Sequence, residues 1–215
     1  MLNIGVKNIA CDAKNFDSLL GTKGLSDQLL KNHFTLYQGY VTNTTKLADV
    51  LSTLGKEGKT GTPEYSELKR KFDWEWNGMR LHEYYFGNMT MGGNAIDKSS
   101  NLCKKIASDF GSYENWEKDI KITGAMHGIG WVMLYYDPWA DRLFNAWINE
   151  HNGDHLCGTS PLLVMDVFEH AYMFDYGLKR TDYIEAFFKA IDWTVEDWVD
   201  KSWNLQDQSI HRCSQ

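Results

Sequence analysis

Seven histidines are spread along this 215-residue chain. A lone histidine is more often a core or surface residue than a ligand, so the surroundings of each decide its meaning. His33 and His82 fall on the apolar stripes of two long helical patterns, and two facing helices can direct both imidazoles toward one point. Asp166 and His170 stand four residues apart at the exit of the apolar run Leu162, Leu163, Val164. A carboxylate and an imidazole at that spacing can share one cation if the backbone turns between them. The same pair could equally be a buried ion pair or a helix cap. Three nitrogens and one carboxylate oxygen suit a first-row transition metal better than magnesium or calcium, and no thiolate is placed to compete.

The elements that must position these residues follow from periodicity and punctuation. Leu29, Leu30, His33, Leu36, Tyr37 and Tyr40 recur at helical spacing, which predicts a helix over about residues 25–54, started near Ser26. A Gly-, Lys- and Thr-rich loop over residues 55–63 separates it from a second helix running to about residue 88, with Pro63 suited to the first turn. The two form a long antiparallel hairpin. Residues 91–94 read as a linker, followed by helices over 101–110 and 113–122. The period then changes. Residues 131–136 and 143–148 are β-rich and flank Asp137, Pro138, Trp139, Ala140 and Asp141, a hairpin turn in which Pro138 fixes one dihedral. A third short strand covers 162–166, and helices resume from about Tyr172, over 181–191 and near 194–203. The expected class is α+β: an N-terminal antiparallel α-helical hairpin (residues 1–92), then a C-terminal domain (93–215) of helices around a small three-stranded antiparallel sheet, with the metal site at their interface.

Composition narrows the function. A net charge of −7 disfavours nonspecific nucleic-acid binding, which relies on Lys and Arg neutralising phosphates. An anionic substrate would need a local basic funnel against that overall field. No run approaches the roughly 20 apolar residues that span a bilayer, and the opening residues are too short and mixed for a secretory segment. Cys11, Cys103, Cys157 and Cys213 are far apart, so reduced thiols in a cytoplasmic protein are expected rather than a disulfide or zinc framework. Aromatic residues reach 14%, enough either for heavy core packing or for an aromatic-lined cavity.

Around Asp166, Val167, Phe168, Glu169 and His170 the sequence resembles the iron/manganese superoxide dismutase family, whose signature is Asp-x-Trp-Glu-His-x-x-Tyr. Separate segments carry the same resemblance. Gly128-Ile-Gly-Trp131 is similar to its Gly-x-Gly-Trp, and Asp109-Phe-Gly-Ser112 to its Asp-Phe-Gly-Ser. Arg180-Thr-Asp-Tyr183 resembles Arg-Pro-Asp-Tyr, Ile191-Asp-Trp193 its Asn-Trp segment, and residues 25–33 the approach to its first ligand histidine.

The resemblance implies that His33, His82, Asp166 and His170 bind one iron or manganese ion per subunit, leaving a fifth position for solvent. In the family a Gln or His hydrogen-bonds that solvent from one of two sequence positions. The helical position is Gly78 here, which has no side chain to offer, and the strand-end position falls on His151. That pairing leans toward iron, with use of either metal as the alternative. Trp131 is expected to line the cavity. Arg180 is expected at the mouth of the funnel, attracting superoxide. Glu169 should bond His170 of a partner subunit in a homodimer, with a tetramer as the alternative. Phe168 stands where the signature has Trp, and Met173 where it has Tyr. Either Tyr37 or Tyr40 supplies the gateway hydroxyl, with Tyr37 preferred. Two rival readings use the same ligands: a non-redox metal hydrolase, which needs a roomy pocket and an extra base, and a metal-binding relative without activity.

Overall fold

The computed structural model describes residues 11–194, and the starts of its first four α-helices are set by hydroxyl caps. Ser26 accepts the Leu29 amide at 3.1 Å to open α1 (Asp27–Lys56). Thr62 accepts the Tyr65 amide at 3.2 Å to open α2 (Pro63–Gly87), with Pro63 where no intrahelical donor is missed. Ser100 and Ser112 cap α3 (Asn101–Phe110) and α4 (Tyr113–Gly124) in the same way. α1 and α2 run antiparallel: Tyr37 meets Glu83, and Asn43 meets Glu75 one to two turns away.

Three antiparallel strands follow, β1 (Gly130–Asp137), β2 (Arg142–Asn149) and β3 (Ser160–Asp166), in the order β2-β1-β3. β1 is central and almost wholly buried, which is why it reads as a continuous apolar run. Its register sets Trp131 opposite Ile148 on one side and Asp166 on the other. Gly130 precedes Trp131 with φ 146°, and a Cβ there would lie 1.9 Å from the Ile148 carbonyl oxygen, so only glycine allows this close start to the ladder. α4 packs on β1 and β2 and α3 on β2, while α2 lies beside β3. Beyond β3 come a 3-10 turn (Glu169–Ala171), the four-residue α5 (Met173–Tyr176) and α6 (Arg180–Ala190).

The core is aromatic: Trp116, Trp131, Tyr85, Tyr183 and Phe187 are all buried. The linker after α2 is pinned to the end of α6 by Thr90 N–H to Ala190 O at 2.9 Å and Asn94 N–H to Ile191 O at 3.0 Å. The helix expected over residues 194–203 falls, beyond Thr194, outside the described residues. No helix among the described residues is long and apolar enough to cross a membrane.

Candidate metal centre

His33 comes from α1, His82 from α2, Asp166 from the last position of β3, and His170 from the 3-10 turn just after it. The chain turns between Asp166 and His170 because Asp166 Oδ1 accepts the Phe168 amide at 2.8 Å. The other carboxylate oxygen, Oδ2, faces three imidazoles: His33 Nε2 at 3.2 Å, His82 Nε2 at 3.7 Å and His170 Nε2 at 3.1 Å. All four candidate ligand atoms lie within 4.8 Å of one another. Ligands about 2.1 Å from a common centre stand about 3.0 Å apart at right angles and about 3.6 Å apart at 120°. The cluster has the size of a coordination shell.

Its chemistry fits as well. His33 Nε2 and His82 Nε2 are buried without a hydrogen-bond partner; the short approach of His33 to Asp166 lacks hydrogen-bond alignment. An orphaned buried acceptor is unfavourable unless something fills its lone pair, and a cation does. The His82 tautomer is set by its other nitrogen, because Nδ1 lies 2.5 Å from the Gly78 carbonyl, which can only accept. Nδ1 therefore carries the proton and Nε2 presents a lone pair to the cluster. Burial lowers the pKa of both His33 and His82, keeping them neutral. Burial alone would raise Asp166, but the charge of His170, its hydrogen bond to the carboxylate and the close approach of His33 outweigh it and hold the carboxyl below the usual carboxylate range.

Around the four ligands stands an aromatic wall. His151, 1% exposed at the exit of β2, lies with Nε2 2.7 Å from the Tyr40 hydroxyl and accepts the Trp131 Nε1–H on Nδ1 at 3.1 Å. Phe168 stacks on its imidazole at 4.9 Å, and Trp74 meets it edge-on at 4.8 Å. The Tyr40 ring stacks on His82 at 5.2 Å, and Trp131 meets His82 edge-on at 5.0 Å. This crowding leaves the hydrolase reading without the roomy pocket it needs.

Tyr37 and Tyr40 use their hydroxyls differently. The Tyr37 hydroxyl donates to Glu83 at 3.1 Å and accepts the Lys14 amide at 3.0 Å, so it is used away from the ligands. Tyr40, three residues on, is the hydroxyl that reaches His151. Gly78 also proves more than silent, since a Cβ there would lie 2.6 Å from Tyr40 Cδ1: the tyrosine ring occupies the space a side chain would need. Arg180 bonds the carbonyls of Met126 at 2.6 Å and Gly128 at 2.8 Å and lies over the Tyr172 ring, so its partners among the described residues are uncharged. Glu169 is exposed.

Sequence reading missed two supports. Trp74 carried no signal beyond being one of nine tryptophans. The Tyr183 hydroxyl lies 2.7 Å from the Asp166 carbonyl and 3.1 Å from the Tyr85 hydroxyl. The carbonyl can only accept, so Tyr183 donates to it, and its oxygen is left to accept from Tyr85.

A family model described as "Iron/manganese superoxide dismutases, C-terminal domain" matches residues 98–198. "Superoxide dismutase [Fe]" of Aquifex pyrophilus is 38% identical over 178 residues, covering 80% of this chain and 83% of its own. "Superoxide dismutase [Mn] 2" of Haloferax volcanii is 34% identical over 170 residues, covering 79% and 83%. "Superoxide dismutase [Fe]" of Cupriavidus metallidurans is 35% identical over 174 residues, covering 79% and 85%. On the family model and on relatives of this identity and coverage, this protein belongs to the iron/manganese superoxide dismutase family.

Proposed function

We propose that this protein disproportionates superoxide to oxygen and hydrogen peroxide, with one iron or manganese ion held by His33, His82, Asp166 and His170. The observation that carries the reading is the pair of buried, unpartnered Nε2 atoms facing the Asp166 carboxylate. A bound ion of either element, alternating between its trivalent and divalent states, supplies the one-electron steps: one superoxide is oxidised to oxygen, and a second takes up one electron and two protons.

The chain's own residues then have to attract an anion and deliver protons. Arg180 provides positive charge beside the 126–128 segment, a local field that a net charge of −7 would otherwise oppose. Proton placement follows from donor chemistry. Trp131 Nε1 can only donate, so His151 Nδ1 is the acceptor and the neutral ring carries its proton on Nε2. Burial pushes His151 down to about 4, so the ring is neutral at pH 7. Its Nε2–H donates to the Tyr40 oxygen, which leaves the Tyr40 O–H proton free to turn toward the substrate. Burial pushes that hydroxyl up to about 12, so Tyr40 holds its proton at neutral pH until a basic peroxide demands it. Tyr40 rather than Tyr37 is the gateway hydroxyl in this reading.

The finer assignments are of the same kind. The division into residues 1–92 and 93–215 puts two ligands in each part. The pairing of Gly78 with His151 favours iron, and the likeness to relatives named for either metal favours activity with both. Exposed Glu169 beside partly exposed His170, with exposed Met173 and Phe174 close in sequence, favours a homodimer through this edge, a tetramer being the alternative. Free thiols at Cys11, Cys103 and Cys157 favour a cytoplasmic setting. Loading the protein with iron or with manganese, then measuring superoxide decay against bound metal, tests the reading. A fully loaded protein that does not accelerate the decay refutes it.

A further inference from the structure

His151 has to point its ring into the site from a loop whose backbone is under strain. Glu150 immediately before it has φ 52°, and Asp154 just beyond has φ 60°, both in the left-handed region that non-glycine residues rarely adopt. Such a loop keeps one shape only when other contacts hold it. The Asn149 amide reaches the Asp154 carboxylate across the loop mouth. The second closure is made by His155. Its Nε2 lies 2.9 Å from the His151 carbonyl oxygen, and its Nδ1 lies 2.8 Å from the Tyr135 hydroxyl. A carbonyl only accepts, so His155 Nε2 carries a proton toward His151 whatever the charge of the ring. Tyr135 is 3% exposed and sits in the central strand, paired on both sides.

We propose that His155 is a positioning residue for the proton-delivering pair, clamping the His151 carbonyl to Tyr135 of β1 so that the His151 ring stays between Trp131 and Tyr40. The two ends of His151 are then fixed by the same strand: Trp131 holds the imidazole, and Tyr135, acting through His155, holds the backbone. Both strand residues lie on β1, four positions apart, so they move as one body. Neither His155 nor Tyr135 touches a ligand, and their role is exerted wholly through His151. The functional half of this inference rests on the dismutase reading above; the geometric half does not.

The test is a crystal structure of metal-loaded His155→Leu, together with turnover per bound ion and the reduction potential of the iron form. His151 should leave Tyr40, opening the 2.7 Å contact past the roughly 3.5 Å limit of a hydrogen bond. Turnover should fall about three- to tenfold, less than the tenfold to hundredfold typical of a residue bonded directly around a metal's ligands. The potential should shift in the same direction as that of His151→Ala measured beside it. His155→Gln, whose amide offers a donor and an acceptor spaced much like the two ring nitrogens, should restore all three readouts. An unmoved His151 with an unchanged potential overturns the proposal. If His155→Leu does not fold, Tyr135→Phe decides, because it deletes one hydroxyl and should displace His151 in the same direction; no displacement overturns the proposal. Wild-type protein that binds metal but leaves superoxide decay unaltered removes the dismutase reading, while the crystallographic position of His151 still judges the clamp.

Discussion

Replacing Gly78 by alanine sets two effects of opposite sign against each other. Gly78 is inside α2, where alanine is favoured over glycine by about 1 kcal/mol. With nothing else in play, that would raise the melting temperature by about 2–4 °C for a domain of this size. The added methyl, however, would sit 2.6 Å from Tyr40 Cδ1 and 2.7 Å from Cε1, against ordinary carbon contacts of about 3.5–4.0 Å. Tyr40 must therefore move by about 1 Å or the two helices must part. Overpacking of this kind costs about 1–3 kcal/mol. The net effect on stability is then between roughly zero and 2 kcal/mol of destabilisation, a fall of no more than about 8 °C. Function should suffer more, because a 1 Å displacement carries the Tyr40 hydroxyl out of its 2.7 Å contact with His151. A loss of about tenfold or more in turnover per bound ion is expected, with metal content preserved since His82 keeps its carbonyl partner. Calorimetry and superoxide decay on the same metal-loaded sample give both numbers. A variant with a raised melting temperature and full turnover would show that Tyr40 adjusts freely and that its packing on Gly78 does no positioning.

His151→Ala should retain the metal yet lose about 10- to 100-fold in turnover, and His151→Gln should keep part of it; equal activity per ion in all three proteins would remove His151 from the mechanism. His151 also sets a pH dependence. Its pKa is lowered from 6.5 to about 4, so the unfolded chain binds the extra proton first and folding stability is lost as pH falls from about 6.5 to about 4. Over that window the wild type should lose about 3 kcal/mol more than His151→Gln in denaturant unfolding, and parallel curves would contradict it. Glu169→Ala should weaken the proposed dimer and speed metal loss to a chelator, if Glu169 bonds the outer nitrogen of a partner's ligand histidine; sedimentation at several concentrations that shows association undisturbed counts against this.

Much of the fold was legible because its signals are local. Ser26, Thr62, Ser100 and Ser112 each act on an amide three residues away, so helix starts are encoded within a turn of the chain. The hairpin turn around Pro138 and the apolar run of the buried central strand are likewise short-range facts. The four clustered side chains were legible because Asp166 and His170 lie together in one motif, and His33 and His82 each sit on an apolar helical stripe. The choice between Tyr37 and Tyr40 was not. Both follow His33 at about whole helical turns, so α1 alone cannot distinguish them. What separates them is where Glu83 and His151 come to rest, 46 and 111 residues away respectively. Gly78 has the same character: as a sequence position it lacks a side chain, and only the packing of α1 on α2 shows that another residue's ring fills the gap. The sequence by itself determined the elements and the four side chains that cluster, through interactions within a turn or a motif. Only the tertiary structure decided which hydroxyl meets His151 and why glycine stands beneath that tyrosine, because those depend on surfaces brought together from residues far apart in the chain.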